Sequence, residues 1–214
     1  MLGRFVGAIC FALLFATPLT AQEFKNYGKG SKIVKHSTIQ LDSGETEAFE
    51  WFIENPKYFG AIAVHKSGDL WASFRQFQSL EAARYFALLQ CQEAAKNSGL
   101  DPKECTLYAS AIPKTLSSSV HKAKGLPEKA QPFLLVFESH QEPGHYGAFA
   151  ISDPGGGGWS YGQKTEALAK KRALAECERN NKAFPTIHDI TSRAYRRLIK
   201  EGWFDCFIIM VHRP

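Results

Sequence analysis

Apolar and polar positions along this chain fall into two periods, and the change from one to the other happens twice. Phe59 to Val64 is an unbroken run of apolar and small residues, followed by the turn Lys66-Ser67-Gly68-Asp69 and a second apolar-rich run, Leu70 to Phe77. Two short runs joined by a Gly-containing turn predict a β-hairpin. From Ser79 the spacing becomes helical, with Ala83, Ala87 and Cys91 recurring every four residues as a stripe of small side chains. Tyr85, Phe86, Leu88 and Leu89 widen that stripe, Ser79 is a suitable N-cap, and Asn97-Ser98-Gly99 supplies a stop. Cys105 to Ile112 then predicts a third strand, ended by Pro113.

The same order returns further along. Tyr146-Gly147-Ala148-Phe149-Ala150-Ile151 echoes Phe59-Gly60-Ala61-Ile62-Ala63-Val64. A turn over Asp153 to Gly158 leads to a shorter partner strand, Trp159 to Gly162, and Thr165 caps a helix whose stripe is Ala169, Ala173 and Cys177. Phe207 to His212 predicts the last strand. Lys171 and Arg172 stand where the first helix has Tyr85 and Phe86, so the second helix is expected to be more exposed. A repeat at this spacing sets the architecture before any other argument. The expectation is an α+β fold of two tandem ββαβ repeats, with antiparallel sheets, a helix packed on each, and one disulfide per repeat.

Segments outside the repeated order read less sharply. Ile33 to Leu41 alternates loosely and predicts a strand, whereas Glu45 to Glu54 fits either a short helix or a strand, ended by Asn55-Pro56. Phe133 to Ser139 predicts an apolar strand corresponding to Ile33 to Leu41, turned back by Gln141-Glu142-Pro143-Gly144. An extra helix is expected near Ile187 to Lys200. The domain plan is therefore a leader over 1–21, an N-terminal extension over 22–57, a first repeat over 58–113, a polar linker over 114–131 and a second repeat over 132–214.

The leader and the cysteines bear on compartment. Arg4 precedes an apolar run from Phe5 to Ala16, and Thr17-Pro18-Leu19-Thr20-Ala21 ends on a small residue before Gln22. This is the pattern of a cleaved signal peptide, and the run is shorter than the roughly 20 residues a bilayer span needs. Removing it removes Cys10 and turns five cysteines into four. Four cysteines allow three pairings. The repeat selects one, Cys91 with Cys105 and Cys177 with Cys206, because each copy holds two. Neither copy carries Cys-x-x-Cys, and no histidine stands at zinc-ligand spacing from a cysteine pair, so structural disulfides in an oxidising compartment are expected.

The joint order of Tyr/Phe-Gly-Ala-Ile/Phe-Ala, a tryptophan (Trp71, Trp159), a hydroxyl-capped Ala-rich helix ending in cysteine, and a strand opening with cysteine resembles the bacterial secreted domain-of-unknown-function family 4189. The resemblance covers residues 58–112 and 146–212 as two copies. The chain departs from the pattern by duplication, by the long insertion between Cys177 and Cys206, and by a second strand poor in aromatics in the second copy. That family carries no established catalytic residues, so the resemblance implies export and transfers no site.

Composition narrows the function without naming it. With 44% apolar and 22% charged residues the 214-residue chain is that of an ordinary folded protein. A net charge of +5, with Lys and Arg interleaved among 21 acids, lacks the clustered basicity of a nucleic-acid binder. Basic residues do gather on two helical stretches, Lys170, Lys171 and Arg172, then Arg193, Arg196, Arg197 and Lys200, and could meet a polyanion of the envelope or an envelope protein. Gly155 to Gly158 with Gly162-Gln163-Lys164-Thr165 approaches a phosphate-binding loop, but the lysine is one position late, which favours a hairpin turn. His140 and His145, with Glu142 between them and Glu138 nearby, form a polar cluster that would suit a hydrolase or a hydrolase inhibitor. No nucleophile elbow, His-Glu-x-x-His or paired-carboxylate motif is present. The expectation is an exported, non-enzymatic binding or structural module with no cofactor, no metal and no membrane span in the mature chain.

Overall fold

Two antiparallel sheets, each covered by helices on both faces, account for the two period changes. The computed structural model describes residues 27, 28, 30–55, 58–68, 70–126, 130–185 and 190–214. The leader, Cys10, Pro56, Asp69 and the first part of the expected helix near Ile187 lie outside the described residues. Among the described residues no helix is long and apolar enough to cross a membrane.

The first sheet runs β1-β4-β2-β3, with β1 Ser31–Lys35, β2 Phe59–His65, β3 Trp71–Phe77 and β4 Cys105–Pro113. The second runs β6-β5-β7, with β5 Tyr146–Ile151, β6 Gly157–Gln163 and β7 Phe207–His212. In both, the strand opening with the Gly-Ala hexamer is central. It pairs on one side with its hairpin partner and on the other with the cysteine-led strand. The fold is α+β with two ββαβ units, each carrying one disulfide.

Side-chain alternation along each central strand divides its residues between two helices. Phe59, Ala61 and Ala63 of β2 join α2 (Leu80–Asn97), while Ile62 and Val64 meet Ala48, Phe49 and Phe52 of α1 (Ser43–Glu54). In the second sheet Ala148 and Ala150 face α4 (Glu166–Asn181), while Phe149 and Ile151 meet Phe137 of α3 (Gln131–Ser139). The expected caps form: Ser79 accepts from the Ala82 amide and Thr165 from the Leu168 amide. The ambiguous segment before β2 is the helix α1, started by Asp42, whose carboxylate accepts from the Glu45 amide at 2.7 Å.

Three elements differ from those expected. Phe133 to Ser139 is a helix, not a strand. Pro132 sits in its first turn, where a missing amide hydrogen does no harm, and only Phe137 is fully buried while Leu135 and Val136 are exposed. A continuous apolar run carries no period, so sequence alone cannot tell its type. The N-terminal extension therefore does have a counterpart, since α1 and α3 cover equivalent faces of the two sheets. The strand expected over Ile33 to Leu41 is confined to β1, which ends at Lys35. The second strand of the second hairpin is no shorter than the first: β3 and β6 each span 7 residues, because Gly157 and Gly158 join the ladder.

The insertion between Cys177 and Cys206 completes the core of the first half. Helix α5 (Ser192–Lys200), capped by Thr191, buries Ala194 and Leu198 in the cluster that contains Phe74, Phe77 and Phe86. Phe184 and Phe204 enter the same cluster, and Tyr85 stacks on Trp203 at 5.0 Å. Polar ties reinforce the contact. The Thr191 amide donates to Gln90 Oε1 at 3.2 Å, Tyr85 Oη donates to Glu201 at 2.6 Å, and Arg193 lies 3.7 Å from the buried Glu93 carboxylate. The stretch expected as a linker is also engaged: the Leu80 amide donates to the Ala123 carbonyl, and Lys124 pairs with Asp153 at 2.8 Å. The two sheets are thus joined by packed side chains rather than by a free tether.

Candidate functional site

Where the two halves meet, a β-bulge sets the geometry. Phe59 pairs with Phe77 and Ala61 with Phe74, so Arg75 and Gln76 of β3 together oppose Gly60. The second hairpin repeats the arrangement, with Tyr161 and Gly162 opposing Gly147. In both bulges the second residue is left-handed, at φ 66°, and the second half fills the position with Gly162. The first half fills it with Gln76. A β-carbon in that region costs about 1–2 kcal/mol, and such strain gathers at sites where the side chain has a task.

Gln76 opens onto a cleft of about 400 Å³ between the two hairpins. Its apolar wall is Phe133, Phe149, Ile151, Trp159 and Phe184, and its rim includes Gly155, Gly156 and Gly157. Phe133 lies over Trp159 at 5.3 Å and 24°, and Trp159 runs beside Phe149 at 13°. Phe133 is 44% exposed, so this aromatic surface is open to solvent.

Among the described residues, the polar side chains of the cleft are amides and one guanidinium. Gln78 is only 1% exposed, its backbone amide donates to the Asp153 carbonyl and its backbone carbonyl accepts from Gly125, yet its side-chain Oε1 has no hydrogen-bond partner among the described residues. An acceptor buried without a partner costs about 1–3 kcal/mol, and native structures contain few. Asn181 is fully used: it accepts from Ser152 Oγ at 2.8 Å and donates to the Phe204 carbonyl at 2.8 Å and to Cys206 Sγ at 3.3 Å. Asn180 is exposed and donates to the Gly157 carbonyl at 2.6 Å. Arg75 is held by the Asn55 carbonyl at 3.0 Å and by the Trp51 ring at 3.8 Å. No carboxylate lines the cleft among the described residues.

The glycine run is not a loose turn. A β-carbon at Gly158 would fall under 3.0 Å from the Ala173 carbonyl and the Cys177 amide of α4, and one at Gly156 would strike Asn181 and Ser152. These glycines let the helix lie directly on the strand. That is a packing requirement, and the phosphate-loop resemblance has no further basis in the geometry.

The expected site residues fall elsewhere. His145 Nδ1 stands 3.5 Å from Glu142 Oε2, both exposed, while His140 Nδ1 faces the Val136 carbonyl at 2.8 Å and its ring lies near Tyr161. Among the described residues no three His, Cys, Asp or Glu side chains converge as a metal site. Of the basic residues, Lys170 pairs with Glu166, Arg193 with Glu93 and Arg197 with Glu201. Lys171, Arg172, Arg196 and Lys200 are exposed and make no ion pair among the described residues. Arg172 borders a shallow depression with Tyr161, Gln163 and the Glu176–Arg179 pair. Arg213 and Lys170 together hold the Glu166 carboxyl down at about 2.

One arrangement that sequence reading missed has the shape of a nucleophile–base pair. Ser110 Oγ lies 3.0 Å from His36 Nε2 and accepts from Arg84 Nε at 3.0 Å. Ser110 is wholly buried, however, and a substrate cannot reach it. The trio ties β4 to α2 and to the chain after β1. Burial, then the charges of Arg84 and His121, hold the His36 imidazole below its ordinary 6.5. Its neutral form is therefore favoured in the folded chain, so its contribution to stability is full above pH 6.5 and declines as pH falls from there through the folded value. Titration by NMR should place His36 below 6.5, and Arg84→Met should move it back up. A His36 titrating at or above 6.5 in the wild-type chain contradicts this account.

The chain is a disulfide-stapled α+β protein with a cleft of about 400 Å³ at the junction of two similar halves. No protein-family model, curated protein or solved structure matches the chain.

Proposed function

We propose that this chain is an exported, non-enzymatic binding module of the bacterial envelope that holds a small ligand in the cleft between its halves. The observation that carries the reading is the cleft itself: an aromatic wall open to solvent beside the buried, unpartnered Oε1 of Gln78. Junctions between packed units are where small-molecule sites concentrate, and a pocket with few convergent polar groups is the default binding site. Export is supported by the leader-like residues 1–21 and by two disulfides, bonds that persist in oxidising compartments. The proposed relationship to the secreted family 4189 rests on the shared order of motifs in the sequence, from the Gly-Ala hexamer to the cysteine-led strand. The basic residues Lys171, Arg172, Arg196 and Lys200 remain available for an anionic envelope partner as a secondary contact.

Titrating the isotope-labelled mature chain with a small-fragment library, read by amide and indole shifts, tests the cleft. Shifts should gather at Gln76, Gln78, Trp159 and the Gly155 to Gly157 turn. Hits that gather on another face, or no hits, overturn the reading. Export has its own check, a reporter fused after Ala21 that is active only outside the cytoplasm; a fusion that accumulates at full length without activity would refute it.

A further inference from the structure

We infer that the cleft takes a neutral saccharide of one or two pyranose rings, a proposal that rests on the cleft being a ligand site. Charge gives the first reason. Among the described residues the one cation on the cleft wall, Arg75, is already engaged by the Asn55 carbonyl and stacked on Trp51, and no carboxylate lines the cleft. Phosphates and carboxylates are recognised by free, charge-assisted donors, and ammonium groups by carboxylates. Neither set is offered by the described residues that line the cleft.

The second reason is the type of polar group present. Gln76, Gln78 and Asn180 supply amides, which donate and accept at once, and a sugar hydroxyl does the same. Gln78 is the most buried of the three, and its Oε1 needs a donor. That oxygen is enclosed, so the Gln78 side chain turns toward the cleft for the deepest hydroxyl to supply it. The third reason is shape. A pyranose has an apolar C–H face and a polar rim, which matches an aromatic wall of Phe133 and Trp159 opposed by amides. A volume of about 400 Å³ stands near the small end of ligand pockets, suited to one or two rings. The strained backbone of Gln76, where the equivalent bulge has glycine, fits a side chain kept for contact rather than for stability.

Calorimetric titration of the whole mature chain separates the outcomes. The probes are cellobiose and N,N′-diacetylchitobiose, with tryptophan and uridine monophosphate as the aromatic and anionic comparators. A disaccharide should bind saturably. Gln78→Leu should weaken it about tenfold by removing the acceptor. Gln76→Gly should weaken it while raising the thermal midpoint, which keeps the test valid if the Gln78 variant folds poorly. Saturable binding of tryptophan or the nucleotide at cleft residues, without disaccharide binding, overturns the ligand class and leaves the cleft reading standing. Binding of no probe at the cleft, together with an empty fragment screen, overturns both. Disaccharide binding indifferent to both glutamine substitutions also overturns the proposal.

Discussion

Gly158→Ala is expected to destabilise the chain by about 3 kcal/mol or more, while Gly157→Ala one position earlier shifts stability by less than about 1 kcal/mol. At Gly158 the added carbon would meet the Ala173 carbonyl oxygen and the Cys177 amide nitrogen, both backbone atoms of α4. A flexible side chain can step aside, but a helix backbone can do so only by lifting the whole element. That element carries Ala169, Ala173 and Cys177 against β5, so a shift opens the small-residue core of the second half. At Gly157 the nearest atom is the Ala150 carbonyl at 3.9 Å, ordinary contact, and glycine in a strand interior is itself slightly unfavourable. Urea unfolding of the two variants measures the difference. Equal midpoints would mean that α4 does not rest on β6 as described.

Removing the Cys177–Cys206 disulfide by a double alanine substitution is expected to cost about 3–4 kcal/mol, against about 3 kcal/mol for Cys91–Cys105. The bonds span 29 and 14 positions, and the chain-entropy estimate grows with the length of the loop closed. The longer loop contains Phe184, α5 and Phe204, which complete the aromatic core of the first half. Freeing it loosens both halves together. The Asn181 side chain joins Cys206 to the cleft wall, so this double variant should also disturb the Trp159 environment, whereas loss of Cys91–Cys105 should leave it unchanged. Unfolding midpoints and tryptophan emission read the two effects. A loss under about 1 kcal/mol for the longer loop would contradict this.

Much of the fold is legible because it is local. The change from strand to helix at Ser79 and Thr165 shows in the hydroxyl caps and in the small stripes Ala83-Ala87-Cys91 and Ala169-Ala173-Cys177. Both disulfides follow from those stripes and the repeat. The run Phe133 to Phe137 was opaque because five consecutive apolar residues lack a period, and Pro132 was the one hint of a helix start. Docking of α5 on α2 depends on contacts such as Tyr85 with Trp203 and Gln90 with Thr191, which no local pattern announces.

The cleft was illegible for the same reason. Gln78 reads as a polar residue before a cap, and its burial comes from Asp153 and Gly125, far along the chain. Gln76 carries no mark of its left-handed backbone until the register of β2 with β3 is known. Gly155 to Gly158 stood out in the sequence as a hairpin turn that approaches a phosphate-loop pattern; in the fold Gly156 and Gly158 allow close packing, and Gly155 to Gly157 rim the cleft. His140, Glu142 and His145, prominent in sequence, stay on an exposed turn.

As proposed, the junction cleft is a ligand site organised by Gln78. A crystal of the mature chain soaked with N,N′-diacetylchitobiose tests it most directly. Expected is a pyranose ring against Phe133 and Trp159, with the Gln78 side chain turned toward it and a donor within about 3 Å of Oε1. An empty cleft at saturating disaccharide, or sugar ordered only on another face, would contradict it.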